Sequence, residues 1–179
     1  MQVPDLTSVL GPIPWAVVGA VATRLYMPER ATRDLDVAIG TEDALEVRRR
    51  LAEAGFVYQG ELSIGGSSWR SAEGIFVDVL EVAEFWFSQA LSVAQHSRDS
   101  QGLPVLTLPY LVLMKFQAGR VQDLADVTRM LGQAGDAVVD AVRDLFAQYS
   151  PADLEDLESL VILGRMEMQP PQANGEQHD

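Results

Sequence analysis

Residues 15–39 read WAVVGAVATRLYMPERATRDLDVAI, from Trp15 to Ile39, and the fold turns on how this stretch is parsed. The apolar run Trp15–Val18 predicts a strand that stops at Gly19. Ala20–Tyr26 then predicts a short helix, with Val21, Ala22 and Leu25 at helical spacing and Pro28 beyond its exit. After a loop over Glu29–Arg33, Asp34–Gly40 reads as a second strand. Successive side chains on a strand point to opposite faces, so Asp34 and Asp36 emerge side by side while Leu35, Val37 and Ile39 face a core. Two carboxylates so placed repel unless a cation lies between them or one holds a proton. The pair therefore predicts a metal site or an acid/base couple.

Working outward, residues 1–13 form a Pro-punctuated lead-in with a helical turn around Leu6–Leu10. Thr41 is placed to N-cap a helix over Glu42–Ala54, with acids in its first turn, Arg48–Arg50 near its end and Gly55 as terminator. Phe56–Tyr58, Leu62–Ile64 and Ser68–Ser71 predict short strands joined by turns at Gly60 and Gly65–Gly66. Ile75–Leu80 is apolar on both faces except for Asp78, which predicts a central strand. Residues 83–95 predict a helix. From Pro109 onward, helices are expected over 109–118, 121–133, 135–149 and 151–164, the last introduced by the cap pair Ser150–Pro151. The expected fold class is α+β: a mixed β-sheet flanked by helices, followed by a C-terminal helical bundle. The expected division is an α/β core over 1–102, a helical subdomain over 103–165 and a disordered tail over 166–179.

Composition narrows the function. At 179 residues, 47% hydrophobic and mean hydropathy +0.05, the chain can bury a core. It has no cysteine, which excludes disulfides and thiolate metal sites. A start without a basic segment and an apolar run is not that of a signal peptide, and no apolar stretch nears the ~20 residues of a membrane span. A cytoplasmic location is expected. The net charge of −13 argues against a broad nucleic-acid footprint. The first fifty residues are nearly balanced, however, with seven acids against six arginines. Twelve of the thirteen basic residues are arginine, and Lys115 is the single lysine.

Asp34, Asp36 and Asp78 are the candidates for one site. A charge in mid-sheet is costly unless paired, hydrogen-bonded or metal-bound. Hard oxygen ligands suit Mg²⁺ bridging carboxylates to substrate phosphates, and two such ions stabilise both attacking and leaving oxygens. Gly19, at a strand-to-helix turn, admits a phosphate to backbone N–H groups. Together these features predict nucleotidyl or phosphoryl transfer.

The motifs also carry a resemblance. Val18-Gly19-Ala20, Arg30-Ala31-Thr32-Arg33-Asp34-Leu35-Asp36 and Val77-Asp78-Val79 resemble the strand–glycine–helix, R-x-T-x-D-h-D and lone-acid motifs of the DNA polymerase β-like nucleotidyltransferases. The nearest group is the minimal enzymes that include abortive-infection toxins. Pro109, Leu113, Lys115, Arg120, Asp123 and Asp126 are similar to that group's L-P-x-x-L-x-x-x-K…R-x-x-D-x-x-D helix pair. The resemblance covers residues 14–132 and implies transfer of NMP from an NTP, ATP included, to an acceptor hydroxyl. It implies Mg²⁺ or Mn²⁺ on Asp34, Asp36 and Asp78, with Asp78 also helping to deprotonate the acceptor. It further implies triphosphate contacts from Lys115, a pocket shaped by Gly19, Ala20, Arg30 and Thr32, and Asp123 orienting Lys115 or Arg120. The family has Gly-Gly or Gly-Ser at the turn, and this chain has Gly19-Ala20.

Plainer readings stand beside these. The strand acids are solvated ends, Asp78 a satisfied structural acid, Lys115 a surface lysine, and Asp123 with Asp126 a solvated helix face. Arg48–Arg50 complement a helix C-terminus, with RNA binding as the alternative. His96 and His178 take no role, and Trp15, Trp69 and Trp86 pack in the core or its rim. Two functions stay open, beside the weaker reading of a purely structural α/β domain. One is an active nucleotidyltransferase whose acceptor is an RNA end such as tRNA, a protein or a small molecule. The other is a catalytically silent module of that fold, binding a nucleotide or a protein partner such as an antitoxin, a reading that Ala20 favours. No membrane partner is expected.

Overall fold

Alternation of buried and half-buried residues along Asp34–Gly40 sets the architecture, because it gives this strand one fully apolar face. In the computed structural model, which describes residues 4–28, 32 and 34–168, the chain divides into two compact units, Met1–Leu111 and Val112–Asp179. In the first, α1 (Thr7–Leu10) leads to β1 (Ala16–Val17), α2 (Gly19–Thr23) and β2 (Asp34–Gly40). A 3-10 turn at Thr41–Asp43 then enters α3 (Ala44–Glu53), followed by β3 (Val57–Glu61), β4 (Gly66–Arg70), β5 (Phe76–Val82) and α4 (Phe87–Ala94). The unit boundary falls inside α5 (Leu108–Ala118), after which come α6 (Val121–Gln133), α7 (Asp136–Tyr149) and α8 (Leu154–Met168).

The five strands lie in the order β1-β2-β5-β4-β3. β2 and β5 are parallel, and every other pair is antiparallel. β5 is central, as its two-sided apolar pattern predicts. The short β1 is extended on its outer edge by residues 104–106: the Val17 N–H donates to the Pro104 carbonyl and Leu106 N–H to that of Val17. Leu35, Val37, Ile39, Val77 and Val79 form the apolar face and are almost fully buried. Burial of each such side chain contributes about 1.5–3 kcal/mol. α3 covers this face, burying Val47 and Leu51. Its Arg48 binds Glu81 on β5 at 2.8 Å and Glu61 on β3. Arg49 and Arg50 bind Glu46 in their own helix, and Arg50 also donates to the Gly11 carbonyl. All three arginines of that cluster are thus occupied by carboxylates and carbonyls.

In the second unit α6 and α8 cross at two glycines. A Cβ on Gly164 would lie 2.1 Å from the Thr128 carbonyl oxygen, and one on Gly132 would lie 2.3 Å from that of Gly164. α7 joins them through Arg143, whose guanidinium grips Glu158 of α8 with both Nε and Nη2. Phe116 meets Phe146 edge to face at a centroid distance of 5.2 Å.

Several local expectations are corrected. The strand expected at Leu62–Ile64 is instead the tip of a hairpin: Leu62 and Gly66 are hydrogen-bonded across it, and Gly65 and Gly66 take positive φ. Gly60, expected as a turn, sits inside β3 where the register slips between Tyr58 and Gly60. This is the bulge that an in-strand glycine permits. Thr41 makes no capping bond and begins the 3-10 turn. Ser150 does precede Pro151, but its hydroxyl donates to the Asp153 carboxylate rather than receiving a backbone N–H. The last helix continues to Met168, and the remainder of the expected tail lies outside the described residues.

Candidate active site

Asp36 on β2 and Asp78 on β5 are Cα partners in the parallel register. Neighbouring strands run ~4.8 Å apart and partners point to the same face, so these carboxylates stand abreast on the side opposite Leu35, Val37 and Val77. Asp34 occupies the same face one pleat away, paired with Phe76. All three acids are half-buried. The sequence places them here by simple alternation: each acid interrupts a run whose remaining members belong to the apolar face.

Gly19 closes against this row. It opens α2 with φ +59°, and a Cβ built there would lie 1.8 Å from Asp36 Oδ2. Only glycine fits, both for its left-handed backbone and for the carboxylate that occupies the side-chain position. The Val18 N–H donates to the Asp36 carbonyl at 2.9 Å, which ties the turn to β2. Ala20 is buried. Thr32 holds the entry to β2, its hydroxyl bonded to both the N–H and the carbonyl of Asp34. Arg30 lies outside the described residues.

Among the described residues, no three His, Cys, Asp or Glu side chains are gathered into a finished ligand set. The fit to a divalent cation rests on the donor chemistry: two hard carboxylates in register, a third on the same face, and a Cβ-free approach at Gly19. The cavity of about 550 Å³ in this unit lies elsewhere, at the C-terminal ends of β2 and β5, lined by Gly40, Val82, Glu84, Phe85 and His96 among others. None of the three site acids lines it.

Lys115, Asp123 and Asp126 lie in the second unit. Lys115 in α5 is buried, and its Nζ donates to Asp123 at 3.0 Å and to Asp126 at 2.9 Å, both on α6. Arg120 donates to the other oxygen of Asp123, and Gln122 to the other oxygen of Asp126. Burial pushes the Asp123 carboxyl up, while hydrogen bonds from Arg120 and Lys115 outweigh it and hold its pKa below the usual 3.8. The plainer readings of Lys115 as a surface lysine and of Asp123 with Asp126 as a solvated face give way to a buried ionic cluster. Asp123 thus accepts from both cations.

Two residues not singled out from the sequence share the acid-bearing face. Ser68 is the partner of Asp78, and Arg70 is the partner of Phe76. Only the observed register, which one sequence does not encode visibly, brings them to the row.

No protein-family model and no curated protein sequence matches the chain. Nucleotidyltransferases are among the solved structures to which it is similar. ANT(2″)-Ia, in complex with adenylyl-2″-tobramycin, aligns with TM-score 0.46 and 15% identity over 88% of this chain and 90% of that one. The lincosamide antibiotic adenylyltransferase LnuA, lincomycin-bound, gives TM-score 0.42 and 10% identity over 66% and 85%. A candidate nucleotidyltransferase from Thermotoga maritima gives 0.44 and 18% over 69% and 84%. These are distant likenesses.

Proposed function

We propose that the chain is a metal-dependent nucleotidyltransferase that moves NMP from an NTP to an acceptor hydroxyl. The observation that carries this reading is the in-register pair Asp36–Asp78, with Gly19 backed directly onto the Asp36 carboxylate. The motif resemblance of residues 14–132 supports it. Asp34, Asp36 and Asp78 would hold Mg²⁺ or Mn²⁺. When bound, the cation supplies charge neutralisation on the triphosphate and on the oxygens that attack and leave. Gly19 and Ala20 form the nucleotide side of the site, where no side chain intervenes between backbone and Asp36. Asp78 takes the proton of the acceptor hydroxyl as its oxygen bonds to the α-phosphorus. The bond from that phosphorus to the bridging oxygen breaks, and pyrophosphate departs with the electron pair.

The test is incubation with Mg²⁺, each α-³²P-labelled NTP and cell extract. Label should pass to an acceptor, and Asp36→Asn or Asp78→Asn should lower the rate by about 10²–10³-fold, the worth of several kcal/mol of charge stabilisation. Labelling that survived both substitutions would sink the site assignment. Mg²⁺–NTP binding without transfer to any acceptor would leave a nucleotide-binding module instead.

A further inference from the structure

In-line transfer sets the attacking hydroxyl and the leaving pyrophosphate on opposite sides of the α-phosphorus, so the two substrates occupy different parts of the sheet. β2 carries Asp34 and Asp36, with Gly19 at its flank. β5 carries Asp78, and β4 lies beyond β5 on the side away from β1. The acid-bearing face of β4 therefore belongs to the acceptor's half. Its side chains are Ser68, level with Asp78, and Arg70, level with Phe76, whose ring is 40% exposed.

Among the described residues, neither the Ser68 hydroxyl nor the Arg70 guanidinium has a hydrogen-bond or ionic partner. The contrast within this unit is sharp. Arg48, Arg49 and Arg50 are committed to carboxylates, Arg98 donates to the Gly102 carbonyl, and Arg24 also has a partner. Arg70 alone among the described arginines of the sheet unit presents an unengaged guanidinium, and it does so on the face that carries the acids. Asp78 sits diagonally across from it, a Cβ separation of ~7–8 Å that an arginine spans. Yet the two are not joined. The chain's net charge of −13 repels anions generally. A lone guanidinium at this place favours one class of acceptor over others, and its planar donor fork matches phosphate oxygens.

We propose that Arg70 is a specificity-determining residue of the acceptor half and that the acceptor carries a phosphate group close to its reacting hydroxyl. Arg70 binds that phosphate, Ser68 hydrogen-bonds to the acceptor beside Asp78, and Phe76 supplies the apolar floor between the two halves. The assignment rests on the transfer reaction proposed above.

Ribose 5-phosphate and ribose serve as probes, titrated into the full chain with Mg²⁺ and a non-hydrolysable NTP analogue at low salt. Ribose 5-phosphate should bind at least ~10-fold tighter than ribose, as expected for a charge-assisted pair. Arg70→Ala and Arg70→Gln should erase the preference, Arg70→Lys should keep part of it, and all three should hold Mg²⁺–NTP affinity within twofold. Equal binding of the two sugars by the parent chain would overturn the assignment. So would a parallel loss of Mg²⁺–NTP affinity in Arg70→Ala, which would make Arg70 a triphosphate contact. Inorganic phosphate binding as tightly as ribose 5-phosphate would also overturn it, because the sugar would then contribute nothing. If the parent chain binds no Mg²⁺–NTP, the transfer reading fails. If it binds Mg²⁺–NTP without a phosphate preference, only the role of Arg70 falls.

Discussion

Two residues show how much single side chains hold in this molecule. Gly19 has a left-handed backbone and the Asp36 carboxylate where a Cβ would be. Gly19→Ala therefore meets two obstacles: about 1–2 kcal/mol of backbone strain and a clash that only movement of Asp36 relieves. The expected result is Mg²⁺–NTP affinity reduced more than ~10-fold, alongside a modest fall in melting temperature. Calorimetry and titration on the same sample check both. Unchanged affinity would show that the Asp36 position is not set by Gly19. Lys115 is the second case. Removing it leaves Asp123 and Asp126 buried without their shared cation, a loss worth about 3–5 kcal/mol. Urea unfolding of Lys115→Met should show that deficit, and adding Asp123→Asn with Asp126→Asn should recover much of it. A Lys115→Met chain as stable as the parent would rule out the structural role. The two carboxylates of β2, and the glycine before them, are visible in the sequence as an interrupted apolar strand after a strand-ending glycine. That Gly19 and Asp36 touch is not, because the contact depends on how β1 turns back over β2.

At the scale of elements, periodicity carries most of the information and register carries the remainder. The helices at 121–133 and 136–149 fall within a residue of expectation because glycine and polar breaks frame clear apolar stripes. β5 is central, and its sequence through Leu80 is apolar on both faces but for Asp78. The hairpin β3–β4 leaves a weaker trace in the sequence. Three glycines and exposed residues along β3 erase the alternation that would have located its strands, and a bulge at Gly60 absorbs the mismatch. Helix crossing is also hidden from sequence. Gly132 and Gly164 lie inside α6 and α8, where helix propensity alone promises that Gly→Ala gains about 0.5–1 kcal/mol. The backbones approach so closely, however, that a Gly164 Cβ would stand 2.1 Å from the Thr128 oxygen and 2.8 Å from the Gly132 nitrogen. Backbone atoms cannot rotate aside, so the helices must part, at about 1–3 kcal/mol for overpacking. The clash wins. Net of the propensity gain, Gly164→Ala should lower the melting transition by up to roughly 10 °C, whereas a rise would show that the crossing adapts.

At the scale of the whole molecule the question is how a chain of net charge −13 and isoelectric point near 4.4 responds to acid. Self-repulsion falls as pH drops from 7 toward that point, which favours the compact state. At physiological ionic strength, screening over about 8 Å keeps this gain small. Opposing it are carboxylates stabilised by partners in the fold. The Asp123 pKa is depressed below 3.8 by Arg120 and Lys115 against the pull of burial, and that of Glu158 is depressed by Arg143. A depressed carboxyl contributes stability that is complete above its unfolded pKa and is lost as pH falls through its folded one. Stability should therefore stay nearly level from pH 7 to about 5 and decline below about pH 4, with solubility lowest around pH 4.4. Urea midpoints measured at fixed ionic strength across pH 3–7 check the shape. Asp123→Asn should lower the plateau and flatten the acid limb together, because the same charge supplies both. An acid limb of unchanged steepness in that variant would mean that the decline originates outside the Lys115–Asp123–Asp126 cluster.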